Sequence, residues 1–288
     1  MTDHRYNDSE TSDVSQDVSG RMPPDMPSEI PMDLVADFWR ALVLLSRVPV
    51  AVQGDFRPQM IARSVWCWPL VGLFLAGIAI VPATLAGLAG LPSMIVAIVA
   101  SLALVLLSGA MHEDGIADCA DGFGGGADRD GKLAIMRDSR IGSYGVVALI
   151  FVFALRLVLL GAAADAGAAA VILLVAAMGS RAAMPVVMMW LDPARPDGLG
   201  RSAGRPGIKS VAAGLGITAL LTLILAGIWG MLAVLLALIV AAAVMGGIAR
   251  QQIGGHTGDV LGATQIVAEI FILLVCSMML AHPVFWGG

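Results

Sequence analysis

Long apolar runs recur along the chain, with short polar loops between them. Each run has about 18 to 25 residues, which at about 1.5 Å of helical rise per residue is long enough to cross a hydrocarbon core about 30 Å thick. The runs lie at 65–88, 94–111, 144–164, 167–190, 210–228, 230–249 and 264–284. The pattern predicts seven transmembrane helices.

Two segments before the first run have a different pattern. Residues 34–52 are apolar but contain Arg40 and Arg47, which indicates a helix that lies at the interface or re-enters the membrane. Residues 1–32 are rich in Asp, Ser and Pro and have few residues that could form a core. We therefore expect a disordered cytoplasmic tail over 1–32 and a single membrane-embedded domain over 33–288.

The composition supports a membrane protein. Hydrophobic residues make up 58 % of the 288 residues and charged residues 14 %, which leaves too little polar surface for a soluble globule. The net charge of −5 and the scattered basic residues argue against a nucleic-acid-binding protein. Cys67, Cys119 and Cys276 are too far apart to suggest a disulfide framework or a zinc site. We predict an all-α, polytopic membrane helical bundle.

Small residues such as Gly72, Gly77, Gly179, Gly216 and Gly247 occur throughout the predicted spans. Helices in membranes associate closely where small residues face one another. We expect close helix packing at these positions.

The basic residues alternate between loops. Lysine and arginine occur in 57–63, 112–143 and 191–209 and at Arg250, whereas the intervening loops contain essentially none. By the positive-inside rule, the basic loops share the cytoplasmic face. We therefore expect 112–143, 191–209 and 250–263 to come together there and to form a site.

Seven carboxylates lie between residues 108 and 145, directly after the second predicted span. Asp114, Asp118 and Asp121 are spaced i, i+4 and i+7, which places them within about 60° of one another on a helix. Three like charges on one face tolerate one another when a cation, a basic partner or raised pKa values relieve the repulsion. A site with oxygen ligands alone favours a hard ion such as magnesium over zinc.

The same loop contains groups that suit a phosphate ligand. The glycine run 122–126 would let backbone amides approach a pyrophosphate. Arg137 and Arg140 lie three residues apart on a predicted short helix that Asp128 or Asp130 would cap. These two arginines would hold phosphate oxygens, or alternatively form internal ion pairs or contact lipid headgroups.

Three charged residues lie inside predicted spans. Arg156 and Arg181 would each form a structural ion pair, contact a phosphate-bearing substrate or extend to the interface. Glu269 lies two to three turns into the last span and needs a basic residue, a metal or water. Arg156 or Arg181 is a candidate partner. Arg47, just before Pro49, resembles these arginines but lies nearer the interface.

The motif Gly-Gly-His-Thr-Gly-Asp at 254–259 precedes the last predicted span. Its glycines would let a ligand approach the backbone closely. Asp259 would bind a second cation or cap the helix N-terminus. His112 lies on the side of its predicted helix away from the three aspartates, so either an interface hydrogen bond or a substrate contact fits it.

Three sequence blocks occur in order along the chain: 112–122 (HEDGIADCADG), 135–142 (IMRDSRIG) and 255–263 (GHTGDVLGA). They resemble the signature blocks of the cobalamin synthase family, the adenosylcobinamide-GDP ribazoletransferases. The segments 41–50 (ALVLLSRVPV) and 69–72 (PLVG) match this family as well. The resemblance runs from about residue 38 to the end. The sequence departs from the family pattern at Glu113, where an apolar residue is usual, at His256, where glutamine is common, and at Ile266, where many members have a carboxylate.

The resemblance implies a magnesium-dependent phosphotransferase in the bacterial inner membrane, with its active site on the cytoplasmic face. A hydroxyl of α-ribazole, or of α-ribazole 5′-phosphate, would attack the cobinamide-linked phosphate of adenosylcobinamide-GDP and release GMP. The product would be adenosylcobalamin or its 5′-phosphate, at a late step of cobalamin biosynthesis. Membrane lipid is the other expected partner, and the sequence leaves open a homo-oligomer or an association with other cobalamin-assembly enzymes.

The resemblance and the residues together give the site assignments. Asp114, Asp118 and Asp121 are the predicted catalytic residues and magnesium ligands, and Asp259 is a further ligand. The residues that we expect to contact substrate are Arg47, His112, Gly122, Gly124, Gly125, Arg137, Arg140, Arg181, Thr257 and Asp259. If side chains read the guanine base, we expect them in loop 191–209, among Asp192, Asp197, Arg201 and Arg205.

The alternative function is a cation-coupled transporter in which the acidic cluster binds the ion. A transporter would place its acids and broken helices near the bilayer midplane, whereas this cluster lies at the end of a helix beside a charged loop. A scaffold subunit of a membrane complex would have no use for aligned aspartates. The sequence therefore favours the enzyme.

Overall fold

The computed structural model describes residues 33–50 and 57–281, so the predicted tail over 1–32 lies outside the described residues. Within these ranges the regular elements are helices, which confirms the predicted all-α class. They are α1 (Leu34–Leu45), α2 (Pro58–Ser64), α3 (Trp68–Leu88), α4 (Ser93–Ser108), α5 (Met111–Gly125), α6 (Arg129–Ile135), α7 (Ser143–Asp165), α8 (Ala169–Trp190), α9 (Leu199–Ser202), α10 (Ile208–Ile253) and α11 (Gly258–Leu280). A short 3-10 turn, Val65–Cys67, joins α2 to α3.

Several helices are long and apolar enough to cross a membrane. Among the described residues these are five: α2 continued by α3, then α7, α8, α10 and α11. A sixth results if α4 and α5, which are bent by 86°, form one span. On α7 the exposed residues Val147, Ile150, Phe151 and Val158 follow helical spacing and form an apolar outer stripe. The chain is a multi-pass membrane protein, and the count of seven spans stays a prediction.

Helix α10 is too long for a single crossing. Its 46 residues would extend about 69 Å if the helix were straight, about twice the thickness of a hydrocarbon core. Gly227 interrupts it with φ 70° and ψ −175°, a conformation that essentially only glycine adopts. The interruption falls at the boundary predicted between 210–228 and 230–249. Each part is long enough for one span.

Three helix boundaries differ from the prediction. The helix predicted over 34–52 ends at Leu45, four residues before Pro49. The helix predicted over 94–111 ends at Ser108, because the chain turns sharply at the next two residues. The last helix begins at Gly258 rather than at 264, because the Thr257 hydroxyl accepts the Val260 amide and caps it.

Helices α8 and α11 form the centre of the bundle and contact each other directly. A Cβ atom on Gly72 of α3 would lie 2.1 Å from the carbonyl oxygen of Ala177 on α8. A Cβ atom on Gly179 would lie 2.8 Å from Ile272 of α11. Close packing is thus confirmed at both glycines. It is wrong for Gly77, Gly216 and Gly247, which have nothing within 4 Å of a built Cβ.

A buried ion-pair cluster connects α5, α7 and α11. The Arg156 guanidinium lies 2.9 Å from a Glu113 oxygen and 2.9 Å from a Glu269 oxygen, and all three side chains are less than a tenth exposed. Gln265 donates a hydrogen bond to Glu269 and another to Ser180 of α8. The expected pairing of Glu269 with an arginine is confirmed, with Arg156 as the partner.

Replacing Arg156 with Met should lower the free energy of unfolding by about 3–5 kcal/mol, because Glu113 and Glu269 would stay buried without their cation. Thermal unfolding of the purified protein in detergent measures the effect. The triple variant Arg156→Met, Glu113→Gln, Glu269→Gln removes the charges together and should recover most of the loss. An equal loss in the single and triple variants would contradict charge compensation.

Candidate active site

A sharp bend between α4 and α5 determines where the acidic residues lie. Gly109 (φ 67°) and Ala110 (φ 56°) both have left-handed backbone conformations. This conformation is common for glycine but uncommon for alanine. The Arg47 side chain covers the bend, since a Cβ on Gly109 would lie 2.4 Å from Arg47 Cγ, and the Arg47 amide donates to the Leu107 carbonyl.

Beyond the bend, α5 packs closely on α11. A Cβ on Gly115 would lie 2.7 Å from the Asp259 carbonyl oxygen, and one on Gly262 would lie 3.3 Å from His112 Cα. Only small residues permit this backbone approach. The contact places the aspartates of α5 beside the first turn of α11, so the first and third sequence blocks converge as predicted.

Two of the three aspartates on α5 have carboxylates without a partner in the described part of the chain, and we call these the uncommitted carboxylates. Asp114 is exposed and Asp118 is half-buried, and neither carboxylate has a hydrogen bond or an ion pair with any residue that the structure describes. The carboxylate of Asp118 interacts electrostatically with Asp114, Asp259, Asp121 and the arginine Arg195. The predicted cluster of like charges therefore exists, with one basic residue near it.

Asp121 has a different environment. Its side chain is buried, and its two oxygens accept the backbone amides of Gly142 at 2.7 Å and of Gly145 at 2.9 Å. These amides belong to the N-terminus of α7, where a carboxylate is favoured by unpaired donors and by the helix dipole. Asp121 therefore anchors α7 to α5, and its assignment as a magnesium ligand stays a prediction.

The first turn of α11 completes the acidic site. Thr257 caps the helix, so the expectation that Asp259 could be the cap is wrong. One oxygen of Asp259 instead accepts the Thr257 hydroxyl at 3.1 Å and lies 3.4 Å from the Arg195 guanidinium. In the sequence, the one signal for Arg195 is its place in the basic loop 191–209.

Loop 191–209 is tied to the start of α11 through its backbone. The backbone amide of His256 donates to the carbonyl oxygen of Asp192, and the carbonyl oxygen of His256 accepts the Ala194 amide. Burial lowers the pKa of His256 to about 4, so the imidazole is neutral at pH 7. Arg129 on α6 donates to the carbonyl oxygens of Ala194 and Ile253. The predicted convergence of the three loops is thus confirmed, while the side of the membrane stays a prediction.

The glycine run and its arginines lie differently from the prediction. Asp128 caps α6 by accepting the Gly131 amide at 2.7 Å, but α6 ends at Ile135, so Arg137 and Arg140 do not lie on it. Arg137 forms an ion pair with Asp197.

Arg140 pairs with Asp138, and its hydrogen bonds lower the pKa of Asp138 to about 2. The internal ion pairs that were the alternative for these arginines are therefore present. Gly122, Gly124 and Gly125 lie in the last turns of α5. There Gly122 packs on Met136 and Gly124 on Tyr144.

Arg181 and His112 are buried inside the bundle. Arg181 donates to the Ala177 carbonyl oxygen in its own helix. His112 is 3 % exposed, and its Nε2 atom has no partner among the described residues. Neither residue lines the two cavities at the polar end of the bundle, and their predicted substrate contacts stay predictions.

Two cavities lie at this end of the bundle. The smaller, about 200 Å³, is lined by Asp114, Asp259, Thr257 and Arg195 together with part of loop 191–209. The larger, about 470 Å³, lies mainly within that loop and against the end of α8. The volume of the larger cavity is within the range of small-molecule sites, about 300–1,000 Å³, and that of the smaller is below it.

The residues fit a hard divalent cation by their chemistry. Among residues 33–50 and 57–281, no three His, Cys, Asp or Glu side chains are gathered closely enough to hold a metal by themselves. Magnesium is usually bound through one or two carboxylates together with water and substrate phosphates. The uncommitted Asp114 and Asp118 are suited to that mode of binding.

Fold and site together define a polytopic helical membrane protein with a cleft of carboxylates and arginines at one end of its bundle. Residues 37–277 match the sequence model of the cobalamin-5-phosphate synthase family. The chain belongs to this family, as the three sequence blocks predicted.

Curated relatives carry the name adenosylcobinamide-GDP ribazoletransferase. The relative from Azorhizobium caulinodans is 44 % identical over 252 residues, covering 84 % of this chain and 95 % of its own. Those from Bradyrhizobium diazoefficiens and Mesorhizobium japonicum are each 39 % identical, covering 87 % of this chain and 96 % of their own. No solved structure matches the chain.

Asp121→Asn should lower the free energy of unfolding by about 0.5–2 kcal/mol, because the side-chain amide has one acceptor oxygen in place of two. Thermal unfolding in detergent measures this. Asp118→Asn makes the same chemical change three residues earlier, where no described hydrogen bond is lost, and should leave stability within about 0.5 kcal/mol. A greater loss in Asp118→Asn than in Asp121→Asn would contradict the anchoring role.

Proposed function

We propose that this chain transfers the adenosylcobinamide phosphate group of adenosylcobinamide-GDP to α-ribazole or α-ribazole 5′-phosphate. GMP leaves, and adenosylcobalamin or its 5′-phosphate forms, at a late step of cobalamin biosynthesis. The observation that carries the proposal is the pair of uncommitted carboxylates, Asp114 and Asp118, beside Asp259 and Arg195 in a cleft. Membership of the family supplies the substrate class.

The reaction replaces the phosphoanhydride bond of the substrate with a phosphodiester bond. The ribazole hydroxyl oxygen forms a new bond to the cobinamide-linked phosphorus, while the bond from that phosphorus to the bridging oxygen breaks. The bridging oxygen and its electron pair leave with GMP. The hydroxyl proton passes to one of the two uncommitted carboxylates, which act as general base.

Asp114 and Asp118 would hold magnesium together with water and substrate phosphates, and Asp259 lines the same cavity as Asp114. A cation held there would supply positive charge that neutralises the pyrophosphate. Arg195 adds a fixed positive charge near Asp259. Asp121 holds α5 against α7 and so keeps the two uncommitted carboxylates in place. The charge and hydrogen-bond pattern suits phosphoryl transfer, which needs positioning and electrostatic stabilisation more than covalent chemistry.

We also propose that the cleft faces the cytoplasm from a bacterial inner membrane. Its loops contain Arg129, Lys132, Arg195, Arg201 and Arg205, and cytoplasmic loops are enriched in such residues. A transporter has no support in the family, and the acidic cluster lies where the helices end. The proposed reaction and location are consistent with both observations.

Asp114→Asn and Asp118→Asn should each lower turnover at least about 100-fold, because each removes a charge that holds the cation or accepts the proton. The measurement is GMP release by purified protein supplied with adenosylcobinamide-GDP, α-ribazole phosphate and magnesium. Asp165→Asn, at the far end of α7, is the matched control and should keep wild-type turnover. Wild-type turnover in both site variants would refute the assignment.

Removal of divalent cations with EDTA should abolish GMP release, and magnesium should restore it. The midpoint of thermal unfolding should hardly change, because the described residues form no cage that needs a metal to fold. Full turnover in metal-free protein would exclude the cation from the mechanism.

A further inference from the structure

The two cavities at the polar end of the bundle form one divided cleft. Pro193, Asp197, Gly198, Arg201 and His256 line both of them. The smaller cavity has the carboxylates of Asp114 and Asp259, whereas neither residue lines the larger one. A ligand with a reacting centre in the smaller cavity can therefore extend past the shared wall into the larger.

Arg201 lies in the wall that the two cavities share, and its guanidinium is available to a ligand. Its side chain has no hydrogen bond or ion pair with any residue that the structure describes. Its neighbours in the cleft are committed, since Arg195 lies 3.4 Å from Asp259 and Arg205 lies 3.0 Å from Asp192. Arg201 is thus the arginine of this loop that is free to form charge-assisted hydrogen bonds with an anion.

His256 gives a second, independent indication of a ligand at the wall. It is 2 % exposed, and its Nδ1 atom has no partner among the described residues. A buried polar atom without a partner is costly unless a ligand or water satisfies it. His256 lines both cavities, so a ligand that crosses the wall passes beside it.

We infer that Arg201 binds the phosphate that departs with the nucleotide and that the larger cavity holds the nucleoside part of that leaving group. The inference rests on the proposed function, which it deepens. When the bond to the bridging oxygen breaks, negative charge collects on the phosphate of GMP. A guanidinium at the wall between the cavities stabilises that charge where it develops.

The larger cavity suits a nucleoside. Its volume of about 470 Å³ lies within the range of small-molecule sites, about 300–1,000 Å³. Met188, Leu191 and Pro196 give it apolar walls for a base, and Asp197 and Ser202 give it polar groups for the base edge or the ribose. The corrinoid part, attached to the other phosphate, would extend away from this cavity.

The test compares Arg201→Gln and Arg201→Lys with Arg250→Gln, which removes an exposed arginine outside both cavities. Binding of GMP and of guanosine to detergent-solubilised protein is measured by calorimetry, without turnover. We expect Arg201→Gln to weaken GMP binding about 10- to 100-fold and to leave guanosine binding unchanged, because only GMP has the phosphate. Arg201→Lys should retain part of the GMP affinity.

Steady-state kinetics give a second readout. Arg201→Gln should raise the KM for adenosylcobinamide-GDP and lower kcat, while the KM for α-ribazole phosphate stays constant. Equal GMP affinity in wild type, Arg201→Gln and Arg250→Gln would overturn the inference, as would an equal loss of GMP and guanosine binding. Wild-type protein that binds GMP through Arg201 but transfers nothing to ribazole would overturn the proposed function alone.

Discussion

The structure depends on one arginine in the middle of a membrane protein. Arg156 on α7 compensates Glu113 on α5 and Glu269 on α11, and all three side chains are buried. A buried charge without a partner is far more costly than a compensated one, so the three helices keep the arrangement in which the charges meet. Because Glu113 and Asp114 are consecutive, this pairing also fixes the helix on which the cleft is built.

The carboxylates inside the bundle differ from the two unpaired aspartates of α5 in what they contact. Asp37 on α1, Asp121, Glu113 and Glu269 are buried, and each accepts hydrogen bonds from amides, an indole or arginines of the chain itself. Asp114 and Asp118 are more exposed and have no such partner within the described ranges. Satisfied carboxylates position helices, whereas unsatisfied ones are available to a ligand. Asp114 and Asp118 therefore mark the candidate site, because they are the carboxylates left available to a ligand on α5.

The sequence predicted the helices well where hydrophobic length decides the structure. The run predicted over 144–164 corresponds to helix α7, Ser143–Asp165. The loops with basic residues come together, as predicted. What could not be predicted depends on tertiary partners. Spacing places Asp121 on a helix face, but only folding shows that the amides of Gly142 and Gly145 face it. Arg195 gave no signal of its own, because its role comes from its proximity to Asp259.

The bend at Ala110 links the fold to the chemistry. A straight continuation of α4 would carry Asp118 about 15 Å beyond Ser108, away from the rest of the bundle. The left-handed conformation of Ala110 instead turns α5 back against α11, at a cost of about 1–3 kcal/mol for an alanine. The close contact at Gly115 and the Arg156 ion pairs offset that strain. The strained backbone conformation of Ala110 is therefore retained, because it brings the carboxylates of α5 close to Asp259.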